Sequence, residues 1–419
     1  MEPKIRFKGF EGEWKTPSIG DVFELRNGYT PSKIVKEFWE GGTIPWFRME
    51  DIRINGGFLK DALQHITPLA VKGAGLFEKN SIILATTATI GVHAMLIADS
   101  LANQQFTNFK VRKSLSDEYI DEFIYYSFFK IDEWSKNNTN SGGLLSVNMP
   151  LLVKQGFLTP CKEEQQTIAS YFRILDAKLQ ASTKKVESLK KLKSASLVAM
   201  FPQQGKTTPK VRFKGFEGEW KKVKFLEIFE FLKNNSLSRA ELSSKGDFIN
   251  IHYGDILIKY GDLVNIQNEE LTYIRDCRIG QTLYKMCSLQ NGDIIIADAA
   301  EDYSVGKCSE IVNIGNNKVV SGLHTIPCRP LITFAQGYLG HYINSNSYHN
   351  QLLPLIQGSK ISSISKKTLS QTSVFVPSYE EQQAIATFFR SLDRKIALET
   401  ARLEKLKQIK LACLDKMFV

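Results

Sequence analysis

The chain has 419 residues, 54 Lys and Arg against 44 Asp and Glu for a net charge of +10, and is 43% hydrophobic and 23% charged. At about 150 residues per domain this length allows two to three globular domains, and the composition excludes disorder, collagen and a chain made only of coiled coil. The longest apolar runs, such as Ser81–Ala85 and Asp293–Ala297, are strand-length, far short of the ~20 residues of a membrane span.

The N-terminus, Met-Glu-Pro-Lys-Ile-Arg, lacks the apolar core of a signal peptide, so a cytoplasmic location is expected. Pro3-Lys-Ile-Arg-Phe-Lys-Gly-Phe-Glu-Gly-Glu-Trp14 returns as Pro209-Lys-Val-Arg-Phe-Lys-Gly-Phe-Glu-Gly-Glu-Trp220, and Pro160 to Asp176 returns as Pro377 to Asp393. An internal repeat decides architecture before any motif does. The copies are offset by 206 residues at the first match and by 217 at the second, so the second carries about 11 more residues between them. Trp14 and Trp220, common to both copies, are expected in the cores.

Between the matched segments lie two inserts, residues 15–158 and 221–375, of short β-branched and aromatic runs broken by Gly, Asn, Ser and Pro, with short helices such as Asp117 to Lys130. That texture predicts α+β domains. Asp21–Leu25 echoes Glu227–Phe231 and Ile82–Ala85 echoes Ile294–Ala297, but most other positions differ. A shared frame thus carries two different inserts.

Each insert is followed by Pro and acidic residues, the start of a helix, and then by a heptad pattern. The first seam is Ile168, Phe172, Leu175, Leu179, Val186 and Leu189, with Lys193 as a polar step. The second is Ile385, Phe389, Leu392, Ile396, Leu403 and Leu406, with Glu399 and Lys410 interrupting it. A helix of about 40 residues rises roughly 60 Å, and a stripe so narrow needs a helical partner. The two helices are therefore expected to pack together, in either orientation. The predicted organisation is a domain over 1–158, a long helix over 159–201, a polar linker over 202–208, a second domain over 209–375 and a second long helix over 376–419.

Specific catalytic signatures are missing. Gly306-Lys307-Cys308 is not a P-loop, no Asn/Asp-Pro-Pro-aromatic run of an amino-methyltransferase occurs, and no G-x-S-x-G elbow is present. His341 and His349 stand eight apart without a neighbouring carboxylate in sequence, and no metal site is expected. The six cysteines form no C-x-x-C pair and read as reduced thiols. Asp298, Glu301 and Asp302 form an acidic loop that a nuclease could use for Mg²⁺, though a base-reading or solvated loop is the expectation. Two different domains in a fixed frame suit two-site recognition of DNA: basic charge supplies phosphate attraction, and distinct inserts can read distinct base edges.

Four features stand together: Arg6–Trp14 and its copy, Gly28-Tyr-Thr-Pro-Ser32 with Trp39-Glu-Gly-Gly-Thr-Ile-Pro-Trp46, Ala102-Asn-Gln-Gln105, and Pro-x-x-Glu-Glu-Gln-Gln opening each long helix. In these the chain resembles, over nearly its whole length, the specificity subunits of type I restriction-modification enzymes. The resemblance implies two target recognition domains, each reading half of a split asymmetric duplex DNA target, with two antiparallel helices setting the unread spacer. It also implies two modification subunits carrying S-adenosylmethionine, and restriction subunits using ATP and Mg, with no cofactor on this chain and no membrane partner. The second domain departs from the pattern, with Lys233-Asn-Asn-Ser-Leu237 and His252-Tyr-Gly-Asp255 in place of the first domain's motifs.

Candidate DNA-binding residues are basic, hydroxyl, amide or aromatic side chains in expected loops. They are Lys33, Arg48, Thr86, Thr87, Gln104 and Gln105 in the first copy, and Lys233, Asn234, Arg239, His252, Tyr253, Lys307 and Lys360 in the second. The alternative from another class is a coiled-coil scaffold presenting two protein-binding domains.

Overall fold

The computed structural model describes residues 2–140, 145–267, 270–358 and 360–418. It divides into two compact units, residues 1–183 with 401–419 and residues 184–400. The division falls within both long helices, because each unit holds one insert domain together with part of each helix.

The first unit has a five-stranded sheet of Phe23–Asn27, Phe58–Leu59, Ile82–Ala85, His93–Leu96 and Phe106–Val111, lying in the order first, fifth, third, fourth, second. Its pairs are antiparallel except the last, Phe58–Leu59 beside His93–Leu96. The second unit repeats this order with Phe229–Phe231, Leu263–Asn265, Ile294–Ala297, Cys308–Val312 and Thr325–Pro330, again with one parallel pair at the end. The central strands explain why Ile-Ile-Leu-Ala and Ile-Ile-Ile-Ala lack polar alternation: successive side chains point to opposite faces, and both faces are covered. Ile82 and Leu84 enter one core cluster while Ile83 and Ala85 enter another. Ile294 and Ile296 part from Ile295 and Ala297 in the same way.

A smaller sheet lies beside each large one. Ile44–Phe47 runs parallel to Leu101–Ala102 in the first unit, and Phe248–Ile251 parallel to Lys318–Ser321 in the second. The helix expected over Asp117 to Lys130 spans Asp121–Asn137. Trp14 and Trp220 are buried, as expected of shared frame residues, and all six cysteines are free thiols.

The long helices are Lys162–Ala199 and Tyr379–Met417. The duplicated N-terminal segment locks the start of each. Arg6 grips the buried Glu164 carboxylate with Nε and Nη2, both at 2.8 Å, and Arg212 grips Glu381 at 2.6 and 2.7 Å. The third arm of each guanidinium donates to the carbonyl of Gly12 or Gly218 at 2.6 Å. These glycines have φ of +84° and +80°, a left-handed geometry that disfavours any side chain.

Within each unit the helices meet antiparallel, as the resemblance implied. In the first, Tyr171 meets Cys413 at 3.3 Å and Asp176 meets Lys410 at 2.6 Å; in the second, Lys185 pairs with Glu399 and Lys193 with Asp393. Residue numbers rise on one helix as they fall on the other. Ile168, Phe172, Leu175, Val186, Ile385, Phe389, Leu392 and Leu403 are buried, and Leu179, Leu189, Ile396 and Leu406 are half-buried. The polar steps at Lys193 and Lys410 are thus cross-helix ion pairs. The helix ends serve the domain cores: Met200 and Phe201 enter the core of the second unit, Met417 and Phe418 that of the first.

Candidate nucleic-acid interface

In the first unit three segments converge at the ends of the strands. The backbone N–H of Thr86, just past the central strand, donates to the carbonyl of Gln105 at 2.9 Å, and that of Asn103 donates to Phe47 at 3.0 Å. Arg48 therefore lies beside the Asn103–Gln105 turn. Its backbone N–H donates to the buried Asp51 at 2.7 Å while its guanidinium reaches Glu50 at 3.2 Å. Exposed Gln104 accepts from the Thr30 hydroxyl at 2.5 Å, and Gln105 is half-buried with its N–H held by Asn103. Thr86 is buried against Thr107, Thr87 is half-buried, and Lys33 stands exposed in a neighbouring loop.

The second unit builds the same place from different side chains. Asp298 N–H donates to the carbonyl of His324 at 3.1 Å, matching Thr86 to Gln105, and the N–H of Gly306 returns to Ala297 at 2.9 Å, as that of Gly91 returns to Ala85 at 3.1 Å. Phe47-Arg-Met-Glu-Asp-Ile52 corresponds to Ile251-His-Tyr-Gly-Asp-Ile256, so Arg48 and His252 occupy equivalent positions, each between a strand and a short helix. The signal for this match was the shared Asp-Ile pair, hidden by divergence around it. The residue at the place of Gln105 is His324, which the choice of DNA candidates omitted. Its Nδ1 lies 3.1 Å from Asp298 Oδ1 and its ring meets Tyr253 edge-on at 5.2 Å.

The remaining candidates of the second unit differ in availability. Lys233, Asn234 and Lys360 are exposed. Arg239 is held in a fork by Asp255 at 2.7 and 2.9 Å. Burial, with Arg239 nearby, lowers the His252 pKa, so this imidazole is neutral at pH 7 and its Nδ1 accepts from the Gly254 N–H at 3.2 Å. Lys307 does not reach solvent as an extended cation. Its ammonium turns inward to the carbonyls of Leu257 and Tyr260 at 3.0 and 3.1 Å, and burial lowers its pKa.

In the acidic loop, Asp298 is committed to His324 and Asp302 accepts from the Ser304 N–H at 2.8 Å. Among the described residues one trio has metal-ligand geometry, Asp262, His341 and Asp393. The Lys193 ammonium already bridges its carboxylates, 2.7 Å from Asp262 and 2.5 Å from Asp393, and His341 Nδ1 lies 3.0 Å from Asp262. Burial opposes charge at Asp262, but His341 and Lys193 outweigh it and hold that carboxyl below its ordinary range. The trio thus carries its own cation.

The chain is similar to known proteins along its length. A family model described as the type I restriction modification DNA specificity domain matches residues 11–191 and again 217–408. The EcoprrI specificity subunit of Escherichia coli is 46% identical over 158 residues, 38% of this chain and 39% of that subunit, so this match spans well under half of either protein. The MjaVIII specificity subunit of Methanocaldococcus jannaschii is 21% identical over 420 residues, covering 95% of this chain and 90% of that one. The type I S subunit of M. genitalium superposes with a TM-score of 0.57 at 16% identity, covering 100% of this chain and 99% of that chain, which shows a shared fold.

Proposed function

The chain belongs to the type I restriction modification DNA specificity family, and we propose that it is the non-catalytic subunit that selects the DNA sequence for a multisubunit enzyme. Each recognition domain reads one half of a split target, and the helix pair sets the unread spacer. Two modification subunits supply S-adenosylmethionine-dependent methyl transfer, and restriction subunits supply ATP- and Mg-dependent cleavage.

One observation carries this reading. Two large sheets of identical strand order, each with a strand-to-helix turn beside it, carry different side chains at equivalent positions, Arg48, Thr86 and Gln105 against His252, Asp298 and His324. A scaffold for one partner would have no need of that difference, whereas base-edge readout depends on it because each base pair offers its own pattern of donors, acceptors and methyl groups. The +10 charge supplies a modest phosphate term, so binding to duplex DNA falls as salt rises. Exchanging residues 15–158 for the insert of a different specificity subunit is expected to change one half of the methylated target. An unaltered target refutes the reading, and salt-independent or absent DNA binding favours a protein-binding scaffold.

A further inference from the structure

The two units differ in the loop that follows the central strand. Five residues separate Ala85 from Gly91 in the first, and eight separate Ala297 from Gly306 in the second. The longer loop carries Glu301, Asp302 and Tyr303 outward. Ala299–Ala300, within it, pairs antiparallel with Ser362–Ser363, and the residues just past that ladder are Glu301 on one side and Ile361 on the other. Together with Tyr253, Ile258 and His324 they line a cleft of about 510 Å³. Ile258 and Ile361 are 90% and 60% exposed, an apolar rim to this cleft.

The polar groups of this cleft are mainly acceptors: the carboxylates of Glu301 and Asp302, beside the Ser304 and Tyr253 hydroxyls and the His324 ring. Among the described residues no hydrogen bond or ion pair engages the exposed Glu301 carboxylate, an acceptor only. His324, with a left-handed φ of +53°, is oriented through Nδ1 by Asp298, and its Nε2 is bonded to nothing among the described residues. An uncompensated carboxylate repels phosphate and the acceptor edges of guanine (N7, O6) and thymine (O4). It matches the amino hydrogens that adenine N6 and cytosine N4 offer in the major groove, and an exposed isoleucine matches the thymine methyl. Exposed Lys360, next to Ile361, suits a phosphate at the rim.

Building on the specificity-subunit reading above, we propose that this cleft is the base-reading site of the second domain. It takes an edge of duplex DNA in which an exocyclic amino donor faces Glu301 and a thymine methyl lies against Ile361. The insertion gives this domain a donor-seeking site that the first, with threonines at 86 and 87, lacks. Rejection of the wrong base arises from leaving the carboxylate desolvated and unpaired.

The test maps methylated sites in cells expressing the full chain with its modification partner, as wild type, Glu301→Ala and Ile361→Ala. Ala removes the acceptor without adding a donor that could pair with a purine, so Glu301→Ala is expected to make one position of one half-site degenerate, with discrimination there falling roughly 5- to 150-fold. Ile361→Ala is expected to relax a thymine-bearing position in the same half-site, with the other half unchanged. The wild-type base at the position governed by Glu301 distinguishes adenine from cytosine as the amino source. The proposal is overturned if both variants keep the wild-type target, or if methylation is lost at every site while the complex assembles. A wild-type chain that directs no sequence-specific methylation instead overturns the specificity-subunit reading itself.

Discussion

Replacing Lys193 with Met keeps the apolar stem of the side chain and removes the ammonium that joins Asp262 to Asp393. Lys193 is 20% exposed and Asp262 12%, whereas Asp393 is 35% exposed. Deleting one partner of a buried pair costs about 3–5 kcal/mol; the share belonging to Asp393 is worth at most about 1 kcal/mol because water screens it. Some 2–4 kcal/mol should therefore be lost, and at 1.4 kcal/mol per tenfold that is about 30-fold to several-hundred-fold less protection of amides opening with the second unit. Hydrogen exchange of residues 184–199 and 379–400 at neutral pH measures it directly. Lys410→Met is the internal comparison: its Asp176 partner is 28% exposed against 12% for Asp262, so water screens the carboxylate left behind and the loss should be smaller. Unchanged protection in Lys193→Met, or a larger loss in Lys410→Met, refutes the assignment of Lys193 as the cation that neutralises the buried trio.

The same trio fixes a pH response. The Asp262 pKa is lowered, so its stabilisation is complete above about pH 4 and is lost as pH falls through the folded value; the Lys193 pKa is raised, burial being outweighed by Asp262 and Asp393, so its share is complete below about pH 10 and is lost above. Exchange protection of 184–199 should accordingly fall more at the acid and alkaline extremes in the wild type than in Lys193→Met, and an equal pH dependence in the two contradicts this. Arg6→Ala should destabilise the first unit by about 3 kcal/mol because it strands the buried Glu164, and Arg6→Lys should rescue little, since one ammonium cannot replace a two-pronged grip; denaturant midpoints of the two variants check it. Inserting seven residues at matched points of both long helices should lengthen them by about 10 Å and the unread spacer by about 3 base pairs at ~3.4 Å each, leaving both half-sites intact; an unchanged spacer contradicts the ruler.

The architecture was legible because the repeat is written in identical residues: Arg6–Trp14 and Arg212–Trp220 do the same clamping job. Heptad spacing announced the two long helices, including their polar steps, but not their relative direction. Periodicity along one helix carries no information about a partner separated from it by a whole domain. The site was less legible. Gln105 and His324 share a place through backbone hydrogen bonds, which leave no trace in side-chain identity. Lys307 looked like a loop cation, yet the short helix Tyr253–Ile258 sets the Leu257 carbonyl beside it and Tyr260 supplies a second acceptor. No local pattern reports such a distant acceptor.

The central claim, that this chain chooses the sequence and its partners perform the chemistry, is tested most directly by sequencing methylated adenines in cells that express it with its modification subunits, before and after exchange of residues 15–158. The account predicts a split target with a fixed gap, of which one half changes and the other half and the gap persist. A continuous target, or one in which both halves change together, would contradict it.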